Sequence, residues 1–511
     1  MFVRRVEIMN NAEIMPMGYS AEKPDDVHFS RREMILSFAA VGLGFAFIKC
    51  FAAPFLISGR MGLGAAAFLI FTMIFGFCFK KGRKITPFKA LRTILCILFS
   101  ANIFVSANLL IQTLCFVFAA LIMIYDSFAD TDDRFDRIRK LFPADMFTAA
   151  VRPFEEMNAC PKAIKIAAGK GSAGKTAANA LLGLAIALPS TIVVGILLMS
   201  ADSGFADIIS SFADGGLSSV LTFVMQAVIG LPVGFYLFSM YRKHKNEIIH
   251  SDHDLEHMSS AFRFVPASAA AFSAVPLCVL YVIFFFSQAS YFLSAFASRL
   301  PADTASYAAY ARQGFFQLCI VAVIDLAVII GMNLFSKVGE NGKKSGALKA
   351  MTVTLCIFTI LLITTAISKM AMYINVYGLT RLRFYTSWFM LLLGVVFMGI
   401  IVSAIWDKFN LWKFTVGAFT VMFAALSFSN ADRLIAEYNI GRYLDGTLSS
   451  ADITMFSELS ADALPAAEKL NGHISSEEET ALEKIIERKL SDINNADARS
   501  ITLSEIIAAQ R

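Results

Sequence analysis

Charge is scarce in this 511-residue chain. Aspartate, glutamate, lysine and arginine make up 17% of it, against 57% hydrophobic residues that include 48 Phe and 22 Met. The mean hydropathy is +0.63. Such a balance excludes an ordinary soluble globular domain, in which about a quarter of the residues are charged, and marks a polytopic membrane protein. The net charge of +5 is small for the length. That speaks against nucleic acid as a partner and makes the position of each basic residue more informative than their sum.

Paired cysteine spacing is missing too. Cys50, Cys78, Cys96, Cys115, Cys278, Cys319 and Cys356 lie in or beside apolar runs, and Cys160 stands in a polar loop. With no C-x-x-C among them they read as small buried hydrophobes, and neither a disulfide framework nor a zinc site is indicated. No cofactor is implied. The chain also lacks an internal repeat and a low-complexity linker. About 30 polar residues precede the first apolar run, so a cleavable signal peptide is not expected and the first span stays in the protein.

What the chain has in quantity is apolar runs of about 20 residues, the length that crosses the hydrocarbon core. They fall near 34–56, 61–79, 90–106, 109–125, 180–199, 218–240, 266–288, 314–335, 350–368, 386–406 and 411–428. The expected fold is all-α, a polytopic bundle of about eleven spans with a small α-helical C-terminal domain. An apolar piece after the seventh run, "YFLSAF", reads as a re-entrant or interfacial helix. The segments around residues 4–32, 80–92, 134–175, 242–263, 337–349 and 408–413 carry about 30 basic residues and the alternate loops about 6. By the excess of Lys and Arg in cytoplasmic loops, the N-terminus is cytoplasmic and the C-terminus extracytoplasmic. The resulting organisation is a cytoplasmic segment 1–33, a four-span region 34–125, a cytoplasmic segment 126–178, a seven-span domain 179–428 and a soluble helical domain 429–511.

In the cytoplasmic segment, "DDRFDRIRKLF" places Phe135, Ile138, Leu141 and Phe142 at helical spacing among Arg134, Arg137, Arg139 and Lys140. It predicts a basic amphipathic helix, lying on the anionic inner leaflet or packed on other loops. The tail turns acidic. "SSEEETALEKIIERKLSDI" offers a capping box at Ser475 or Ser476 and an apolar stripe at Leu482, Ile485, Ile486, Leu490 and Ile493.

Two motifs carry chemistry in principle. "GKGSAGKT", Gly169 to Thr176, fits the P-loop spacing, in which glycine amides cradle phosphate and Lys175 and Thr176 serve charge and magnesium. A run long enough to be a span follows it, and "PKAIKIAA" before it is too weak for a central strand. The cradle has no βαβ unit to hold it, so nucleotide is not the expected partner. "HSDHDLEHM" spells H-x-x-E-H with His253, Glu256 and His257, the inverted zinc-protease signature. A third ligand and a walled cleft are missing, which leaves these as weak metal candidates in a solvated loop.

Charges inside the bilayer cost several kcal/mol. Asp325 is near the centre of the eighth run, as a titrating or cation-binding group or as a protonated side chain bonded to a neighbouring helix. The outward-facing ends of the runs hold most of the distinctive residues. "PADTASYAAYARQGFFQL" can cap at Asp303 or Thr304 and project Tyr307, Tyr310 and Arg312. "MYINVYGLTRLRFYTSW" breaks at Gly378, restarts at Thr380 and presents Tyr377, Arg381 and Arg383. "NADRLIAEYNIGRY" adds Asp432, Tyr438 and Asn439. Arginines on the side that should be poor in them point to a carboxylate, a phosphate or the acidic tail itself. The alternative is interfacial Tyr and Arg that anchor helix ends.

"YARQGFF", "YGLTRLRFY", "DRLIAEYNI" and "LSADALP" resemble the signature blocks of a family of uncharacterised bacterial multi-pass membrane proteins, a domain of unknown function. The family pattern has proline where Ala431 stands and often arginine where Glu437 stands. The resemblance implies a bacterial plasma-membrane protein with an important outer face and supplies no activity. Three readings remain, in this order: an envelope sensor or scaffold, with an envelope protein or a lipid-linked molecule as possible ligand; a secondary transporter coupled through Asp325; and a membrane-embedded transferase acting on a lipid-linked substrate.

Overall fold

The computed structural model describes residues 29–79, 85–130, 137–168, 197–212, 218–242, 263–296, 304–339 and 344–510, with isolated positions between 183 and 195. Among them there is no strand, only an isolated bridge between Val265 and Ser336. The protein is an all-α polytopic bundle. Eight described helices are long and apolar enough to cross a membrane, and two shorter apolar ones, Leu63–Phe79 and Gln226–Tyr241, accompany them. Ten of the expected runs fall on helices; the fifth, 180–199, lies largely outside the described residues, as do Gly169–Thr176 and His253, Glu256 and His257.

The elements that position the site are α1 (Arg31–Phe47), which continues through a π-helical turn to Ser58, α2 (Leu63–Phe79), α3 (Pro87–Val105) and α4 (Leu109–Ala129). Two shorter helices follow, α5 (Phe142–Glu155) and α6 (Ala159–Ala167), then α7 (Ser203–Phe212) and α8 (Ser218–Tyr241). The second half comprises α9 (Ala267–Phe272), α10 (Val275–Phe296), α11 (Thr304–Phe335), α12 (Gly346–Tyr377), α13 (Arg381–Ile405) and α14 (Leu411–Phe428). The tail adds α15 (Ala431–Leu444), α16 (Met455–Glu458), α17 (Leu464–Ala467), α18 (Ser476–Asn494) and α19 (Leu503–Ala509). Many side chains on the bundle's outside are apolar, for example Phe71, Ile94, Ile320 and Val421, which is how helices meet lipid rather than water.

Three sequence expectations are corrected. "YFLSAF" is the last turns of α10, because no proline or glycine interrupts the helix between Leu277 and Phe296. Of the expected amphipathic helix, residues 132–136 lie outside the described residues, while 137–141 form a bend and a turn and the helix begins at Phe142. Pro143 suits a first helical turn, where its missing N–H is not needed, and Arg139 closes on Asp145 of that turn at 2.8 Å. Cys160 is not in a loop; it is fully buried on α6, where its Sγ lies 3.7 Å from Ser37 O of α1. The tail capping box forms at Ser475, with Glu478 returning the bond, and Leu482 and Ile493 of its stripe are buried.

Two clusters of buried side chains organise the bundle. The first takes α1 to α4, α8 and, from far along the chain, Phe423 and Leu426 of α14. The second takes α10 to α13 with Ala270 of α9. α14 packs on α13, where Trp388 Nε1 donates to Met422 O at 3.1 Å, and also reaches the first cluster by stacking Phe423 on Phe99 of α3, with centroids 5.2 Å apart.

α1 and α8 cross at small residues. Ala40 and Gly44 face Gly230 and Gly234 so closely that a Cβ on Gly44 would collide with Gly230 O, and one on Gly230 would stand 2.9 Å from Gly44 O. This small-residue spacing lets two backbones touch where apolar burial gives no driving force. Gly44→Leu is therefore expected to cost about 3 kcal/mol through overpacking. Gly42→Leu, with nothing within 4 Å, should leave thermal unfolding in detergent unchanged. Equal melting of the two variants would refute this crossing.

Candidate functional site

The two ends of the bundle differ in chemistry. At one end Lys89 pairs with Asp130 at 3.0 Å, Arg92 with Asp126 at 2.8 Å, and Arg242 with Glu33 and Glu156 at 3.3 and 3.4 Å. Lys349 pairs with Asp407, and Lys140 donates to Asp407 O at 3.2 Å. At the other end the tail folds back over the helix links.

That end is built from helix termini. α12 stops at Gly378, whose φ of 74° lies in the left-handed region that glycine adopts without strain. Thr380 then caps α13 by accepting from Arg383 N at 3.4 Å. Between them, Leu379 is clamped by one side chain of α15. Asn439 Oδ1 accepts from Leu379 N at 2.7 Å, and Asn439 Nδ2 donates to Leu379 O at 2.8 Å. Arg383 donates to the last carbonyls of α12, Tyr377 O at 3.1 Å and Gly378 O, and lies 4.2 Å from the Tyr373 ring centroid.

Arg381 forms a two-pronged pair with Asp432, Nε to Oδ1 at 2.8 Å and Nη2 to Oδ2, and Ser460 N donates to the same carboxylate at 2.9 Å. Burial pushes the Asp432 carboxyl up, yet Arg381 and Ser460 together hold it below the ordinary aspartate value. Nearby, burial pushes Lys489 down while its Nζ donates to Leu459 O at 2.6 Å. Asp462 accepts from Ser106 Oγ at 3.1 Å and from Ala107 N at 3.0 Å, and so docks the tail on the start of α4.

Between α12, α15 and the chain after it lies a cleft of about 120 Å³. Tyr377, Tyr443, Ser449, Ser450 and Asp452 give it polar atoms, and Leu379, Ile440, Leu448 and Met455 give it apolar walls. No arginine or lysine lines it. An engineered apolar cavity of roughly 150 Å³ accepts benzene, so a group of single-ring or amino-acid size fits here.

Of the residues singled out from sequence, Arg381, Arg383, Asp432 and Asn439 are brought together, as partners of one another and of the backbone. Tyr377 and Asn439 line the cleft, and Tyr438 is half-exposed beside Arg442, 5.8 Å from its ring. Tyr307, Tyr310 and Arg312 lie on the opening turns of α11, with side chains outside the described residues. Asp325 is far down the bundle, buried between α10 and α12. Sequence reasoning missed Asp462, Ser460, Tyr443 and Ser450; Ser460 and Asp462 stand inside "LSADALP" and Tyr443 ends "NADRLIAEYNIGRY", whereas Ser450 had no such signal. Among the described residues no three His, Cys, Asp or Glu side chains are placed to hold a metal ion.

A family model, Domain of unknown function (DUF4153), matches residues 93–470. The chain belongs to this family. No curated protein and no solved structure matches it. The DUF4153 region contains the Arg381–Asp432 pair, the Asn439 clamp, the Asp462 dock and the cleft, whereas α18 and α19 lie beyond it. Both departures from the family's block pattern are innocuous in place. Ala431 is the first residue of α15, where proline is tolerated, and Glu437 lies on the surface paired with Arg433 at 3.0 Å.

Because the Asp432 carboxyl is held below its ordinary value, its contribution to docking is complete above about pH 4 and is lost as pH falls through the lowered value. Limited proteolysis of the tail should accelerate in that acid range. Arg381→Ala, which strands a buried carboxylate, should accelerate it already at neutral pH by about 2 kcal/mol of opening, reduced because Arg381 is one-third exposed. Unchanged cleavage in Arg381→Ala would refute the pairing.

Proposed function

We propose that this integral membrane protein is a non-enzymatic component of the bacterial plasma membrane that senses or scaffolds through its tail end. The cleft at the α12 break carries the reading: it is the place where helix termini, tail and small polar groups converge. Its lining of tyrosine, serine and one carboxylate, without a cation, suits a neutral or amine-bearing group better than a phosphate. Arg381 and Arg383 do not reach it, being held by Asp432 and by backbone carbonyls. The transferase reading would set Arg312, Arg381 and Arg383 on phosphate with Asp432 or Glu437 as base; of these, Arg381 and Asp432 are taken up by each other, which weakens it.

The sidedness of the reading follows the loops. The ion pairs of the basic end join segments that the lysine and arginine excess assigns to the cytoplasm, and this supports a tail and cleft outside the cell. The described ends support an odd number of crossings: α4 finishes at the basic end, and α8 runs back to it beside α1. One further passage between them would make eleven.

A second reading, secondary transport, is favoured by the surroundings of Asp325, where two other helices each supply a hydroxyl. The first is tested in two steps. Paired C-terminal reporters at Arg511, one active only outside the cell and one only inside, should report an outside tail; a cytoplasmic tail would overturn the arrangement. Thermal-shift screening of the purified chain against free amino acids, amino sugars and dipeptides should then find a stabilising compound whose effect disappears in Ser450→Trp, which fills the cleft. A panel that stabilises both proteins equally, or neither, would sink the ligand site.

A further inference from the structure

Asp325 lies near the middle of the candidate span Gly314–Phe335, and it is wholly buried. Among the described residues, no lysine or arginine pairs with it; its partners are two hydroxyls on different helices. Tyr281 of α10 donates to Oδ1, and Thr359 of α12 stands 2.8 Å from Oδ2.

The hydrogen count is the informative part. Thr359 Oγ1 is also 2.8 Å from Leu355 O, one turn back on its own helix. A threonine has one hydroxyl hydrogen, so it serves Leu355 O or Asp325 Oδ2 at any moment, never both. With a proton on Oδ2, Asp325 donates to Thr359, Thr359 donates to Leu355 O, and Tyr281 donates to Oδ1. Every polar hydrogen then has an acceptor. With the proton gone, rotation of the Thr359 hydroxyl alone supplies the carboxylate with two donors, while Leu355 O keeps the helical N–H it already accepts. Both states are satisfied without moving the backbone, in a place where an unsatisfied polar group costs several kcal/mol.

We propose that Asp325, Tyr281 and Thr359 form a reversible proton-binding site in the membrane interior, with Thr359 as the rotor that accommodates both states. This deepens the transport reading by naming the ion, and it rests on that reading only for the proton's use, not for its binding. The titratable groups within electrostatic reach are Tyr281 and Cys278 of α10 and Cys356 of α12. The second core receives apolar Met390, Leu393 and Phe397 from α13 and Ala270 from α9. A metal cation in place of the proton would need several converging oxygen lone pairs. Here the deprotonated carboxylate would draw the hydrogens of both hydroxyls toward itself, and the other side chains named around it are thiols, rings and apolar groups.

The test reads the carboxyl itself, so the site and any transport fail separately. Infrared difference spectra of the full chain in lipid nanodiscs are recorded over a pH series at fixed sodium, with carbon-13 aspartate labelling to identify carboxyl bands. The expected result is one protonated-aspartate C=O band that disappears in a single titration step, is absent from Asp325→Asn, and shifts in frequency in Thr359→Val and Tyr281→Phe. Should Asp325→Asn fail to fold, the labelled band and its shift in Thr359→Val carry the assignment. The proposal is overturned if no such band exists, if the band persists at every pH at which the protein stays folded, or if its midpoint moves with sodium concentration at constant ionic strength. Loss of a pH-driven transport signal with the band intact would remove transport and leave the proton site standing.

Discussion

Backbone groups at helix ends have no partner inside their own helix, and in this protein the tail and two polar side chains of the bundle supply many of the missing ones. Leu63 N and Gly64 N, opening α2, donate to Ile501 O and Arg499 O at 3.1 and 2.7 Å. Val105 O, closing α3, accepts from Ser504 Oγ at 2.8 Å, and Ala107 N, leading into α4, donates to Asp462. Inside the bundle, Gln112 directs its amide at Met61 O, Ile103 O and Ser106 O, all within 2.9 Å, tying the first two links at this end together. Asn102 likewise donates to Ser427 O at the end of α14, at 3.1 Å. Links this short cannot wrap back to satisfy themselves, and next to hydrocarbon there is little water to do it. The tail is therefore part of the bundle's hydrogen-bond accounting as well as a domain on its surface.

This accounting explains why the charged residues at the tail end look like a receptor in sequence and behave as a clamp in three dimensions. A guanidinium with a carboxylate 2.8 Å away and a backbone amide on the same carboxylate is already satisfied. An incoming phosphate would have to displace Asp432 and leave it buried and unpaired, at a cost of several kcal/mol. The cleft beside the clamp has no such competition, because its serines and Asp452 are exposed to solvent. Ligand capacity and charge have separated.

The layout of helices was largely legible because hydrophobic length is a strong signal in lipid. Ten apolar runs, the break at Gly378, the restart at Thr380 and the capping box at Ser475 all follow from local chemistry. What was illegible depended on contact between distant segments. Nothing near Arg381 announces that Asp432, 51 positions later, will fill it, and Tyr281 and Thr359 are ordinary residues until α10 and α12 bring them to Asp325. Of the helix expected over 132–142, the described residues 137–141 are not helical; Pro143, with no N–H to give, suits the first turn of the helix that follows.

α12 touches both places where this protein's chemistry is concentrated. Thr359 meets Asp325 within the second core, and Tyr377 and Gly378, about 27 Å further along a continuous helix, meet the cleft and the Asn439 clamp. Its lower end returns to the basic side, where Lys349 pairs with Asp407. Spatial continuity alone is not coupling; coupling requires that each site favour one position of the shared element. The contacts show what such a position would change. A sliding or turning α12 would part Thr359 from Asp325 and, at its far end, pull Leu379 against an amide that grips both its N–H and its C=O. With both ends of α12 held, rotation of a hydroxyl at its centre is the motion that asks least of the bundle, whereas a larger displacement has first to open the tail.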